Sequence, residues 1–435
     1  LKPHRHQSRT FKRCRTRFVV AWDVMSLLSP VSKCPQLAPP PETDPAQLAP
    51  TFVSEWVDRL LAAAIEVRAS DIHLNPDAES LQVLWRLDGI LQQAAALPKA
   101  IAPNIIARLK VLSELLTYHT EIPQEGRLRR GPLNVEMRLS TFPTIYGERG
   151  VIRLFIGAQQ FHFIDDLGLP GDLRPRFADL LRETAGVVLM TGPAGSGKTT
   201  TAYAALRDLQ SEHGVQKCLL SIEDPVEAVL PGVTQSQLHR SAGFDYVVGL
   251  RSLMRQDPDV LFVGEIRDRE TAETVFQAAL TGHLILTTYH AGTSAEAVSR
   301  LSEMGIEPSL LRSGLLGILC QRLVRQLCQC ATWSEANDDK LGLPIERTRM
   351  PRGCDDCGQS GYSGRILLAE LLVPQSPSLS DAILRQADSG EIRARAIQSG
   401  MVSLSRRGIQ AVSAGQTSAR EIRRVLGIRS LEDSP

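Results

Sequence analysis

The sequence predicts an α/β fold with a largely parallel sheet over residues 168–328, and three observations carry that prediction. Short apolar runs at 187–190, 218–222, 260–263 and 284–287 alternate with stretches of helical spacing, the pattern of strands wrapped by helices. The first run leads directly into Gly192-Pro193-Ala194-Gly195-Ser196-Gly197-Lys198-Thr199-Thr200 and then a helix-like stretch at 201–209. The second and third runs end in carboxylates, Glu223 and Glu265.

The glycine-rich stretch is G-x-x-x-x-G-K-[ST] between a buried strand and a helix, the context that separates a phosphate-binding loop from a chance match. Glycines let successive backbone N–H groups, and the positive end of the following helix, turn toward phosphate oxygens. Lys198 would then reach the β- and γ-phosphates, and the Thr199 hydroxyl would hold Mg²⁺. A glycine-rich turn with a solvated lysine is the plainer alternative, and the flanking strand and helix argue against it. The expected core is RecA-like, and the expected ligand is a nucleoside triphosphate.

Taken in order, residues 1–50 come first. Seven Lys/Arg and no acid fall within residues 1–18, ahead of a short apolar patch interrupted by Asp23. This faintly resembles a signal peptide, but the chain opens on Leu, and an over-extended reading frame with Met25 as the start is the simpler expectation. Residues 29–50 are Pro-rich and read as a disordered or polyproline-like linker.

Residues 51–160 read as a smaller α+β unit of PAS-like type. Phe52, Val53, Trp56, Val57, Leu60, Leu61 and Ala64 recur at helical spacing; 81–87 followed by Asp88-Gly89 reads as strand and tight turn; a helix is expected over 101–116 and strands over 135–140 and 150–155. A short connection near 157–168 leads into the core.

Residues 328–372 carry two close cysteine pairs, Cys328/Cys330 and Cys354/Cys357. Residues 373–435 read as helical and Arg-rich. Cys14, Cys34, Cys218 and Cys320 are scattered and read as ordinary thiols; Cys320 falls in a stretch, 315–327, whose spacing predicts a helix.

Composition bounds the rest. The 435 residues allow two to four domains, and 43% hydrophobic content is ample for buried cores. A net charge of +1 argues against a wholesale polyanion binder. No run of eighteen apolar residues occurs, so no transmembrane helix is expected.

Among candidate site residues, Glu265 ends an apolar run where a second strand should deliver an acid near Mg²⁺ or the attacking water. Glu223, in Ser221-Ile222-Glu223-Asp224-Pro225-Val226-Glu227, ends another, although acidic turns before proline are common for purely structural reasons. His283 and His290 bracket the run at 284–287. One of them could sense the γ-phosphate, or both could be ordinary structural histidines.

These segments, with residues 250–268, resemble the Walker A, Asp-box, Walker B and His-box of the secretion-ATPase superfamily. Ala69-Ser70-Asp71-Ile72-His73-Leu74 and Arg86-Leu87-Asp88-Gly89 are similar to the N-terminal domain of its type II secretion and type IV pilus assembly branch. The resemblance runs from about residue 52 to 428. It implies a cytoplasmic ATPase motor, peripheral to the inner membrane: a homohexameric ring with ATP between the small N-terminal domain and the RecA-like core, working against an inner-membrane platform protein. Glu223 matches the glutamate implicated in activating water, Glu265 the Walker B glutamate, and His283 and His290 the His-box, His290 being the expected γ-phosphate contact. Arg138 and Arg153 match arginines that reach the triphosphate, in the manner of arginine fingers; each could instead be a surface salt-bridging side chain. The cysteine pairs match a zinc subdomain, with a departure: the first reads Cys328-Gln329-Cys330, one residue short, so either zinc binds with altered geometry or the site has decayed.

Smaller departures are Tyr289 in place of leucine and Gln124-Glu125-Gly126-Arg127 in place of Gln-Asp-Gly-Arg. Full-length relatives, by the same resemblance, carry a further domain that docks on the platform, for which residues 1–50 are too short, so the expectation is either a different recruitment or a reduced copy. A retraction-type pilus motor is the first alternative, which the cysteine pairs disfavour. A RecA-like nucleic-acid translocase is the second; aromatics at 5% and the lack of a basic stretch interleaved with them leave no obvious stacking platform, and no nucleic acid is expected as partner. A catalytically silent relative is the third, against which the intact motif residues count.

Overall fold

The computed structural model describes residues 51–128, 135–155, 162–211 and 217–427. The expectations for residues 1–50, including the start at Met25, and for positions 157–161 of the connection lie outside the described residues.

The first unit runs α1 (Phe52–Glu66), β1 (Asp71–Pro76), β2 (Ser80–Leu87), β3 (Ile90–Pro98), α2 (Ala102–Leu112), β4 (Gln124–Leu128), β5 (Met137–Thr144) and β6 (Gly147–Leu154). Its six strands form one antiparallel sheet in the order β3-β2-β1-β6-β5-β4. Alternation in β2 puts Leu81, Val83 and Trp85 on the buried face, and α1 turns Trp56, Val57, Leu60, Leu61 and Ala64 onto the same core. Burying each large apolar side chain contributes about 1.5–3 kcal/mol. The turn after β2 needs left-handed backbone at Asp88 (φ 48°) and Gly89 (φ 85°), a pair suited to it.

The second unit begins with α3 (Leu173–Leu181) and β7 (Gly186–Thr191), followed by α4 (Lys198–Ser211), β8 (Leu219–Glu223), β9 (Thr234–Gln237), α5 (Tyr246–Leu253), β10 (Val260–Val263), α6 (Arg269–Leu280), β11 (Leu284–Tyr289), α7 (Ser294–Glu303), α8 (Pro308–Gly314) and β12 (Leu315–Leu327). It continues with β13 (Thr332–Ser334), α9 (Asn337–Lys340), β14 (Thr348–Met350), β15 (Tyr362–Leu372), α10 (Pro377–Leu384), α11 (Ser389–Gln398), α12 (Leu404–Ser413) and α13 (Ala419–Leu426). Seven strands form a sheet in the order β15-β12-β7-β11-β10-β8-β9, parallel throughout except for the antiparallel edge β15. Strands β7, β8, β10 and β11 are buried along their whole length, as strands covered by helices on both faces must be.

One expectation is corrected. Residues 315–327 form strand β12, not a helix. The strand pairs with β7 and β15 at its edges and is buried on both faces by helices that include α3, α7, α8 and α13, which erases the alternation that marks a half-exposed strand. Its side chains feed four clusters: Leu315 and Ile318 one, Leu319 a second, Cys320 and Val324 a third, and Leu327 a fourth. Cys320 is fully buried in this strand. Since β15 (Tyr362–Leu372) joins the core sheet, the cysteine pairs sit on the excursion between two strands of that sheet.

Helices of this half start on side-chain caps: Asp268 accepts from Thr271 N at 2.8 Å and Thr293 from Glu296 N at 3.0 Å, each stabilising by about 1 kcal/mol. Asp268, in the segment that resembles the Walker B box, thus caps α6. The two units touch at the β2–β3 turn, where Asp88 accepts from Gly364 N (3.2 Å) and pairs with Arg365 Nε (3.3 Å), and at the cavity described next.

Candidate functional site

Parallel strands β7, β8, β10 and β11 all deliver their C-terminal ends to one edge of the sheet, where open α/β sheets bind ligands. That edge faces the N-terminal unit across a cavity of about 890 Å³, lined by Ala194, Gly195, Lys198 and Thr199 on one side and by Arg127, Arg138 and Arg153 on the other.

The loop between β7 and α4 is forced by backbone geometry. Gly192, Gly195 and Gly197 have φ of 148°, 74° and 93°, values that glycine alone adopts without strain. A Cβ at Gly192 would also lie 2.5 Å from Ser196 Oγ and 2.6 Å from the Gln321 carbonyl oxygen. Pro193, Ala194, Ser196 and Thr200 complete the turn into α4. Lys198, buried, folds back over the loop and donates to the carbonyls of Gly192 (2.9 Å) and Pro193 (3.0 Å). Burial pushes its ammonium down to about 8, against the opposing charges of Glu265 and Glu227. A phosphate entering here would meet a lysine that holds only carbonyl oxygens.

The acids divide into two kinds. Glu223 ends β8 with 2% exposure; its oxygens accept from Tyr203 OH (2.5 Å), Ser221 Oγ (2.6 Å) and Gln235 Nε2 (3.1 Å). Such a carboxylate is anchored in place by three donors. Glu227, four residues on, is half-buried, lines the cavity and accepts from Thr199 Oγ1 at 3.4 Å. Burial and the neighbouring Glu223 charge push its carboxyl above the usual carboxylate range, which is where a general base is tuned. Glu223 and Glu227 both line the cavity; the resemblance singles out Glu223, Glu227 stands only within the same acidic segment, and the hydrogen bonds at the buried end of β8 distinguish the two.

Glu265 lies just beyond β10, ion-paired with Arg267 and 3.5 Å from His290 Nε2. Burial and the Lys198 charge hold the His290 imidazole below its ordinary value, so at neutral pH it is the uncharged form that faces Glu265. His290 lies beyond the C-terminal end of β11 and lines the cavity. His283 precedes that strand's other end, about 20 Å away by strand rise, with Nδ1 near the Ala278 carbonyl (3.1 Å) and Thr281 Oγ1 (3.2 Å). Of the two histidines only His290 lines the cavity.

Arg138, on β5, donates to the Val226 carbonyl at 3.3 Å and lies over the Phe155 ring. Arg153, on β6, pairs with Asp71 at 3.1 Å and is largely exposed. Arg127, on β4 opposite Arg138 in register, also reaches the Val226 carbonyl (3.4 Å); it was quoted in the sequence only as part of a variant motif. Register pairing of Arg127, Arg138 and Arg153 across three adjacent strands is long-range and invisible to spacing alone.

The four thiols of Cys328, Cys330, Cys354 and Cys357 lie within 4.8 Å of one another, with Sγ–Sγ distances of 3.8 Å (Cys328–Cys354), 3.9 Å (Cys330–Cys357) and 3.6 Å (Cys354–Cys357). Tetrahedral zinc with Zn–S near 2.3 Å implies sulfur separations of about 3.8 Å, so the set fits. The shortened pair works because residues 328–331 form a turn, Ala331 N donating to the Cys328 carbonyl at 3.0 Å, which brings both thiols to one side. Backbone N–H groups of Cys354 and Gly361, each 3.2 Å from Cys357 Sγ, contribute to a thiol held down near 7, whereas burial pushes Cys328 up to about 12.

The family described as Type II/IV secretion system protein matches residues 47–424. The chain is 39% identical over 382 residues to the putative type II secretion system protein E of Escherichia coli, covering 86% of this chain and 76% of that protein. It is 37% identical over 389 residues to the type IV pilus assembly ATPase PilB of Thermus thermophilus, covering 87% of this chain but 43% of that protein, so it spans less than half the length of that relative. In fold it is similar to the Legionella pneumophila ATPase DotB (TM-score 0.63, 19% identity, 89% of this chain and 98% of that one) and to the pilus retraction motor PilT (TM-score 0.57, 23% identity, 84% and 96%). With the family match spanning both units and the cavity between them, the chain belongs to the type II/IV secretion system protein family and is an ATPase.

Proposed function

We propose that this chain is an ATP-hydrolysing motor of type II protein secretion or type IV pilus assembly, working as a homohexameric ring against the cytoplasmic side of an inner-membrane platform protein. One observation carries the coupling: arginines of the N-terminal unit and the phosphate loop of the core line the same cavity, so nucleotide chemistry there depends on how the two units are placed.

In this reading the loop at 192–200 cradles the triphosphate, Lys198 neutralises its β- and γ-oxygens, and Thr199 holds Mg²⁺, which supplies charge neutralisation on the phosphates. Glu227 accepts the proton of the attacking water, Glu223 anchors the segment that carries it, and Glu265 with neutral His290 orients groups at the γ-end. Arg138 and Arg153 stabilise charge that develops on the transferred phosphoryl group, exchanging the Val226 carbonyl and Asp71 for phosphate oxygens. Zn²⁺ held by the four thiols serves structure. No helix among the described residues is long and apolar enough to cross a membrane, and attachment to the platform would come through protein contacts.

Relatives named for secretion and for pilus assembly stand at similar identity, 38–40% and 37–38%, so the two systems are proposed together. The likeness to the retraction motor is of fold. Turnover of Mg²⁺-ATP by the purified chain, abolished in Lys198→Ala, tests the reading; turnover that survives this change contradicts it.

A further inference from the structure

Tyr203 lies on α4, four residues after Thr199 and so on the same helix face. It is 1% exposed. Its ring meets Phe262 of β10 edge-on, with centroids 6.0 Å apart. The hydroxyl makes three contacts. It donates to Glu223 Oε2 at 2.5 Å and accepts from the backbone N–H of Glu227 at 3.1 Å and of Ala228 at 3.4 Å. Gln235 closes the arrangement from the other side, bridging Glu223 Oε1 (3.1 Å) to the Ala228 carbonyl (3.0 Å) and accepting from Leu230 N (2.6 Å).

A phenylalanine would fill the same space against Phe262. The hydroxyl adds only a bridge between an anchored carboxylate and the segment that carries Glu227. Without it Glu223 Oε2 loses its donor and two amides lose their acceptor, which in a buried setting is costly. Glu227 then loses the hydrogen bond to its own backbone N–H, and the segment is held on either side by the Val226 and Gln235 contacts.

We propose that Tyr203 is a positioning residue for hydrolysis: its hydroxyl, oriented by Glu223, holds the backbone of Glu227 and thereby sets that carboxylate against Thr199 in the cavity. The phosphate-loop helix and the base-carrying segment become one rigid body, so seating of nucleotide on the loop is felt directly at Glu227. The proposal rests on the ATPase reading given above and adds a residue to it.

The test is Tyr203→Phe in the full chain. Expected are a kcat for Mg²⁺-ATP lowered by about 10- to 100-fold, the cost of a misplaced group, and an unchanged dissociation constant for a fluorescent ATP analogue. In a Glu227→Gln background the same change should cost nothing further, because there is no base left to position. Wild-type kcat in Tyr203→Phe overturns the proposal, as does a loss that is undiminished in the Glu227→Gln background or that appears as weaker nucleotide binding. Amide exchange of the wild-type protein gives a reading independent of the variant's folding: protected Glu227 and Ala228 amides are expected, and freely exchanging ones overturn the proposal. Absence of ATP turnover in the wild type contradicts the ATPase reading itself, whereas turnover with an indifferent Tyr203→Phe removes Tyr203 alone.

Discussion

Arg138 Nη2 lies 3.3 Å from the carbonyl oxygen of Val226, joining a strand of the N-terminal unit to the segment that carries Glu227. A hydrogen bond from a charged donor contributes about 1.5–3 kcal/mol where it is shielded from water, and less where it is exposed. This one is half-buried, so it fixes the approach of the two units only weakly. A triphosphate offers the guanidinium a better acceptor, and the same arginine that rests on Val226 can transfer to it without leaving the cavity.

Lys198 has a free-state value near 8 because it is buried, and phosphate oxygens favour its charged form. Binding of ATP above pH 8 should therefore take up a proton, and affinity should fall as pH rises further. Calorimetric titration in buffers of different ionisation enthalpy reads the uptake. It should vanish below about pH 7, where the lysine is already protonated, and in Lys198→Ala at any pH.

Glu223 and Glu227 should respond differently to amide substitution. Glu227→Gln removes a base and should lower kcat by about 10²–10⁴-fold while leaving Tm unchanged or raised, since a desolvated, repelled charge is lost. Glu223→Gln places an amide against the Gln235 amide and the Ser221 hydroxyl in a buried site, and should cost about 1–3 kcal/mol of stability. In the wild type kcat should rise with pH through a value above 4.5, because the base acts only when ionised. Paired melting curves and pH–rate profiles separate the two.

The four thiols should bind one Zn²⁺ per chain, measured by metal analysis of protein purified without chelator. Stripping the metal, or Cys354→Ser, should lower Tm and deprotect amides at 328–331 and 354–361. Affinity should weaken as pH falls, because protons compete with the metal for the thiolates.

Glu421, with no exposed side-chain surface, is held by Arg325 and Arg424 at 2.8 and 2.6 Å, and its carboxyl lies at about 2, with Arg325 also donating from its backbone. A folded-state value below the unfolded one gives stability that is present above pH 4.5 and lost as pH falls toward 2, on the order of 3 kcal/mol by linkage. Acid titration of Tm in the wild type against Glu421→Gln should show that dependence only in the wild type.

Much of this was legible in the chain. The four site strands end where their apolar runs end, because a strand buried on both faces reads as uninterrupted Val, Ile and Leu. The phosphate loop was legible because only glycine tolerates its backbone. What escaped has a physical cause in each case. Strand β12 mimicked helical spacing because helices bury both of its faces; Glu227 was not separated from Glu223 because both line the cavity and only the hydrogen bonds made in the fold, not residue type, mark the anchored one. His283 and His290 bracket one strand in the sequence, and the structure puts His290 alone of the two at the cavity. The match of Cys-x-Cys to a four-thiol cluster depended on the turn at 328–331, which a residue count does not contain.

The central claim is that hydrolysis depends on arginines delivered by the N-terminal unit. The most direct measurement is steady-state Mg²⁺-ATP turnover of the wild type against Arg138→Ala and Arg153→Ala, with particle size followed alongside and DNA added as a control. The account predicts that each change lowers kcat by about 10³-fold or more, that wild-type turnover rises with the hexameric fraction, and that DNA has no effect. Turnover by a monomer that DNA stimulates, and that neither arginine change alters, would contradict it.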